Sequence, residues 1–348
     1  MNSCVDVTNA ATFSRLFEGG GVFLRVDRLI AIPICVAMIS LVLLIQLLPL
    51  TNITVDKMMV RSFAFLETVI VGLLAFSAFA SYWARDDISP FGRAFAATFR
   101  TVRSITLYLA LMIPAFVTAG ILSYVAVPIS GALVDAQLVA LDHALGFNWL
   151  AFLRFTSGTP YIPAILEFCY HSYYWQFMAM PFVFVAAGQQ RALLEFAAAS
   201  TVAGLATTSI SALFPAIGPV AYFQPTDLDF SAYEKIAGGW HLEQYQALRS
   251  GAAFMLDKGT GLIAFPSFHT VLAILVCFAA RKLPLTLRIP IFVINGILII
   301  GALPVGGHYL VDILAGMAVA AASICATCYF NIPTIKYAAS SSRAENQP

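Results

Sequence analysis

The chain has 348 residues, is 60% hydrophobic and only 11% charged, and carries a formal net charge of +1. This composition excludes an ordinary soluble domain with a charged surface, and near-neutrality gives no footing for a nucleic acid or an acidic protein partner. It points to an all-α, polytopic integral membrane helix bundle whose partners are membrane lipids.

In chain order, residues 1–28 carry Arg15, Glu18, Arg25, Asp27 and Arg28 without an apolar core followed by a cleavage site. They read as a cytoplasmic interfacial lead-in, not a signal peptide. A spanning helix needs about 20 mostly apolar residues. On that criterion eight spans are predicted, near 29–50, 63–84, 105–128, 163–187, 194–217, 262–280, 288–306 and 308–330. Polar connections at 85–104, 129–162 and 218–261 are long enough to hold interfacial structure. The expected organisation is N-terminal transmembrane helices over 29–128, a catalytic membrane core over 129–330 and a flexible tail over 331–348. The six cysteines lie mostly inside apolar runs and read as packing residues, the Cys325–Cys328 pair included.

Cytoplasmic loops are enriched in Lys and Arg. With both termini inside, 13 of the 19 Lys and Arg residues fall on the inner side. That orientation puts His308 on the outer side, together with His269, expected about two turns into the sixth span. In a bacterium this means an inner-membrane protein with its site facing the periplasm.

The stretch Pro304-Val305-Gly306-Gly307-His308-Tyr309-Leu310-Val311-Asp312 runs a glycine-rich turn into an apolar segment. On a helix, His308 and Asp312 share one face, and Gly316 extends it without a side chain. A carboxylate so placed fixes the imidazole tautomer and leaves a nucleophile or base. The bland alternative is a histidine at a helix start meeting interfacial water. Buried ionisable residues in spans are costly, which favours function. The second stretch is Ile263-Ala264-Phe265-Pro266-Ser267-Phe268-His269-Thr270. Here Pro266 is expected to bend the helix and free backbone amides, Ser267 to add a hydroxyl, and His269 to donate a proton to a leaving group.

Pro266-Ser267-Phe268-His269 and His308 followed by Asp312 resemble the second and third signature motifs of the type 2 phosphatidic acid phosphatase superfamily. Leu213-Phe214-Pro215-Ala216-Ile217-Gly218-Pro219 and His308-Tyr309 are similar to its inositol phosphorylceramide synthase branch. The resemblance covers roughly residues 130–330. It implies a six-helix core, His308 as nucleophile forming a phosphohistidine, Asp312 as its orienter and His269 as general acid. The superfamily's Lys-x6-Arg-Pro motif is missing, and Gly301 and Ala302 stand where it has Ser-Arg.

A phosphoryl group still needs neutralising or binding. Candidates are Ser267, Gly307, His171 and Lys258, with Arg249, Lys235 and Arg154 as further outer-side charges that also read as solvated. Glu167 and His171 form a second embedded pair. Asp135 and Asp142 read as interfacial caps or solvated faces. The function implied is phosphoryl transfer on a lipid phosphate or phosphodiester, as a phosphatase or head-group phosphotransferase, with no metal and no cofactor. The alternatives are a lipid or solute transporter using the His/Asp cluster as a proton relay, and a zinc site on the same residues.

Overall fold

The computed structural model describes residues 27–226, 229–233, 241–259 and 261–330, which form thirteen α-helices and one two-stranded ribbon. The expected lead-in up to residue 26, Lys235 and the tail beyond residue 330 lie outside the described residues.

Local signals set the helix starts. Asp27 accepts from the Leu29 amide at the head of α1 (Arg28–Leu47), and Asp56 accepts from the Met59 amide at the head of α2 (Lys57–Trp83). Ser89 caps α3 (Pro90–Ile129), with Pro90 at its first position. This helix of 40 residues is about 60 Å long at 1.5 Å per residue. It therefore absorbs most of the connection expected over 85–104, because no breaker separates residues 90–104 from the apolar run that follows.

The 129–162 connection folds as α4 (Asp135–Ala144) and α5 (Trp149–Ser157). The span expected over 163–187 is two helices, α6 (Ile162–His171) and α7 (Tyr173–Ala186), broken at Ser172. The Ser172 hydroxyl donates to the Cys169 carbonyl at 2.6 Å and accepts from Gln176, local bonds that compete with the helical ladder.

At the centre lies α8 (Gln190–Leu213), rich in Ala, Ser and Thr. Small side chains allow close backbone approach, and α8 packs against α1 and α3 on one side and the C-terminal helices on another. After α9 (Pro219–Phe223) and α10 (Leu242–Arg249) come α11 (Phe268–Ala280), α12 (Leu285–Gly301) and α13 (Leu310–Phe330). The main core joins Phe196, Ala199 and Ala203 of α8 to Val271, Leu275 and Ala279 of α11. A parallel ribbon, β1 (Ile53–Val55) on β2 (Phe254–Leu256), ties the α1–α2 connection to the segment leading into α11.

Among the described residues five helices are long and apolar enough to cross a membrane, as in an integral membrane protein: α1 with its extension to Leu50, α2, α3, α8 and α13. The shorter apolar helices α11 and α12 and the broken α6–α7 pair occupy the other predicted segments.

Candidate active site

Two corrections shape the site. Pro266 does not bend a helix: α11 begins only at Phe268, and Ser267 is its N-cap, accepting from the Thr270 amide and hydroxyl. His269 is therefore the second residue of its helix and not two turns inside it. Similarly, α13 begins at Leu310, so His308 lies in the turn before the helix and reaches Asp312 across that turn rather than along a helical face. The Ser267 amide is not free for an anion either, since it donates to the Asp312 carbonyl at 3.1 Å and so ties the two motifs together.

The surroundings of His308 decide its tautomer. Its Nδ1 lies 2.8 Å from the Ala264 carbonyl oxygen and 3.4 Å from Asp312 Oδ2. Both neighbours are acceptors, so the proton of a neutral ring sits on Nδ1 and Nε2 carries the lone pair. Asp312 Oδ2 also accepts from the Tyr309 amide at 2.8 Å, which holds the carboxylate inside the turn. Both side chains are buried.

The His269 ring stands 6.2 Å from the His308 ring, centroid to centroid. It is held between Tyr170, whose hydroxyl lies 3.2 Å from Nδ1, and Tyr173, whose ring meets it edge to face. Gly306 makes room for this: a Cβ there would meet the Tyr170 ring at 2.9 Å and the Ala302 carbonyl at 2.7 Å.

The turn itself hangs from α4. Asp135 accepts from the Ile217 and Gly218 amides and from the Tyr309 hydroxyl. Asp142 accepts from the Leu310 and Val311 amides, capping α13 from another helix. Both are 2% exposed, so neither is a solvated face. Their spacing of seven, two helical turns, was the available signal that both point to one side of an interfacial helix.

All the matched-motif residues lie in one stretch of chain. The model of the PAP2 superfamily matches residues 136–326, more than half of the sequence. The chain belongs to the PAP2 superfamily. No curated protein and no solved structure matches it. Membership of the PAP2 superfamily places the chain among phosphatases and phosphoryl-transfer enzymes, and His171, His269, His308 and Asp312 all fall within the matched stretch.

The other candidates are distributed differently. Gly307, with φ of +64°, lines the same cavity as His308. His171 ends α6 with its ring edge-on to Tyr170, and it is Tyr170 and Tyr173 whose rings meet His269. Lys258 is exposed. Arg154 pairs with Asp229 at 2.8 Å, which holds that carboxyl below its usual range. Arg249 donates to the carbonyls of Ser130 and Gly131 beyond the end of α3. Among the described residues no cluster of three metal-ligating side chains occurs.

Proposed function

We propose that the chain is a membrane phosphoryl-transfer enzyme acting on a lipid phosphate or phosphodiester through a phosphohistidine at His308. The observation that carries this reading is the pair of acceptors at His308 Nδ1, which leaves Nε2 as a buried nucleophile beside a second histidine. Nε2 attacks phosphorus, the bond to the leaving oxygen breaks, and His269 as imidazolium gives that oxygen its proton. Asp312 stabilises the positive charge that grows on the His308 ring. In the second half, water or an alcohol attacks phosphorus, the N–P bond breaks, and neutral His269 takes the proton of the incoming hydroxyl.

Water as acceptor makes the protein a lipid phosphatase; an alcohol makes it a head-group phosphotransferase like the inositol phosphorylceramide synthases its motifs resemble. Apolar helices beside the site let a lipid keep its tails in the bilayer while its phosphate reaches the histidines. The excess of Lys and Arg on the opposite side supports a periplasmic site in a bacterial inner membrane.

The test is to incubate wild type and His308→Ala in detergent and EDTA with phosphatidic acid, diacyl phospholipids and a ceramide or diacylglycerol acceptor, and to read products by mass spectrometry. Free phosphate or a new phosphodiester from wild type, lowered at least about 10^3-fold in the variant, is the expected result. Equal turnover by both proteins refutes it.

A further inference from the structure

The mechanism above uses one wall of the site; a second wall faces His308 from α10. A cavity of about 50 Å³ is lined by His308, Gly306, Gly307 and Ala264 on one side and by His241 and Tyr245 on the other. That volume holds about four water molecules, or a group as small as a phosphoryl. His241 immediately precedes α10, and Tyr245 lies four residues on, so both side chains fall on one face of the helix.

Two polar residues elsewhere on this helix are engaged. Gln244 accepts from the Tyr124 hydroxyl, and Arg249 binds the carbonyls beyond the end of α3, which fixes the position of α10. His241 Nδ1 and Tyr245 Oη are different: both are buried, and neither has a hydrogen-bond partner among the described residues. Tyr245 is only 6% exposed. Two residues that each carry a buried polar atom without a partner among the described residues line one small cavity, with a histidine nucleophile in its opposite wall, and such a cavity suits a polar ligand.

The ligand's chemistry follows from the groups that would meet it. Burial keeps both side chains uncharged, lowering the titration of His241 below its ordinary value and pushing the Tyr245 hydroxyl up to about 12. A neutral tyrosine offers an O–H, and a neutral imidazole protonated on Nδ1 offers an N–H. Arg154 and Arg249 are committed elsewhere, so at this wall of the cavity the donors are neutral.

We propose that His241 and Tyr245 bind the non-bridging oxygens of the phosphoryl group that His308 carries, Tyr245 donating from Oη and His241 from Nδ1. This rests on the phosphoryl-transfer reading and adds two residues that touch the transferred group. Fixed donors aimed at oxygens whose charge grows in the transition state stabilise it without reorganising.

Orthovanadate is the probe, because it takes up five-coordinate geometry on an imidazole nitrogen and so mimics phosphorus in transfer. Its affinity for the purified full-length protein is measured by titration for wild type, His308→Ala, Tyr245→Phe and His241→Ala, with melting temperatures recorded without vanadate. Expected are loss of binding in His308→Ala and a Kd raised roughly 10- to 100-fold in each of the other two, the size of one hydrogen bond to a charged group. Without vanadate, Tyr245→Phe melts at or above the wild-type temperature, since it deletes an unpartnered hydroxyl.

Vanadate affinity within twofold of wild type in both α10 variants, with binding lost in His308→Ala, overturns the inference and leaves the phosphohistidine reading standing. A lower melting temperature of Tyr245→Phe without vanadate also overturns it, by revealing an internal partner for Oη. Equal binding by His308→Ala, or none by wild type, overturns the phosphohistidine reading and the inference together.

Discussion

Two helices of this molecule invert the rule that soluble proteins follow. The more apolar one, α2, leaves most of its surface outward, with Phe65 at 72% and Trp83 at 74% exposure; the less apolar α8 buries Phe196, Ala197, Ala198 and Ala199 completely. In a bilayer the surroundings are as apolar as a leucine, so an apolar side chain gains little by turning inward. Small and polar side chains decide packing instead, because they permit close backbone contact and need partners. The buried carboxylates of the site, Asp135, Asp142 and Asp312, belong to this second kind of region.

The sharpest way to break that contrast is to remove a buried polar group at the site and an apolar one on α2. Asp312→Asn is expected to lower turnover roughly 10^2- to 10^4-fold with the protein still folded, because the neutral amide does not stabilise an imidazolium, even though the Ala264 carbonyl still holds the tautomer. Phe65→Ala is expected to leave turnover within twofold of wild type. Equal losses in the two variants, measured as initial rates in the same detergent, would remove the distinction.

The stability effect ranks next. Asp135→Ala strands two backbone amides and the Tyr309 hydroxyl in the interior, at a cost of about 3 kcal/mol. It should appear as a lower melting temperature together with lost turnover, since Asp135 holds the turn that carries His308. Unchanged melting would show that water replaces the carboxylate there.

Glycines sharpen the comparison at smaller scale. On α13 a Cβ at Gly316 would meet the Ser267 carbonyl at 2.6 Å, where that helix crosses the start of α11. Gly316→Ala is expected to destabilise by about 1–3 kcal/mol and to move His308 away from His269. At Gly72 on α2 nothing lies within 4 Å, so Gly72→Ala should be neutral or stabilise by up to about 1 kcal/mol through helix propensity. The same sign for both in thermal melts would contradict the close packing at Gly316.

The smallest effect is electrostatic. Burial lowers the titration of His241 in the folded protein. Above pH of about 6.5 the residue is neutral folded or unfolded and contributes no pH dependence. As pH falls below that value the unfolded chain binds the proton first, so stability is lost toward acid. His241→Ala should flatten this acid limb of melting temperature against pH, and an unchanged limb would show that His241 is protonated as readily in the folded protein. Among the described residues Tyr245 and His308 line the same cavity and His269 interacts with His241, and all three remain in the variant.

Much of the architecture was legible in residue order alone. Apolar stretches near 20 residues marked the long helices, because a bilayer demands that length, whereas the start of α3 at Ser89-Pro90 fell inside a stretch read as a polar connection. His308, Asp312 and His269 were visible as ionisable groups too costly to bury without use. Less legible were the short helices α11 and α12 and the break at Ser172. The start of α11 and the break at Ser172 are set by side-chain bonds within stretches that hydropathy reads as continuous, and α12 starts after Pro284 without a side-chain cap.

What the sequence determined, then, is the helical class, the approximate position of the long apolar helices and the residue types at the chemistry. Each of these depends on local composition or spacing. What only the tertiary structure decided is which groups meet: the Ala264 carbonyl at His308 Nδ1, Tyr170 at His269, Asp135 and Asp142 beneath the His308 turn, and, across the cavity, His241 Nδ1 and Tyr245 Oη, which have no partner among the described residues. These contacts join residues 44 to 174 positions apart. No periodicity records such separations; they follow from how small-residue helices pack and where buried polar atoms find partners.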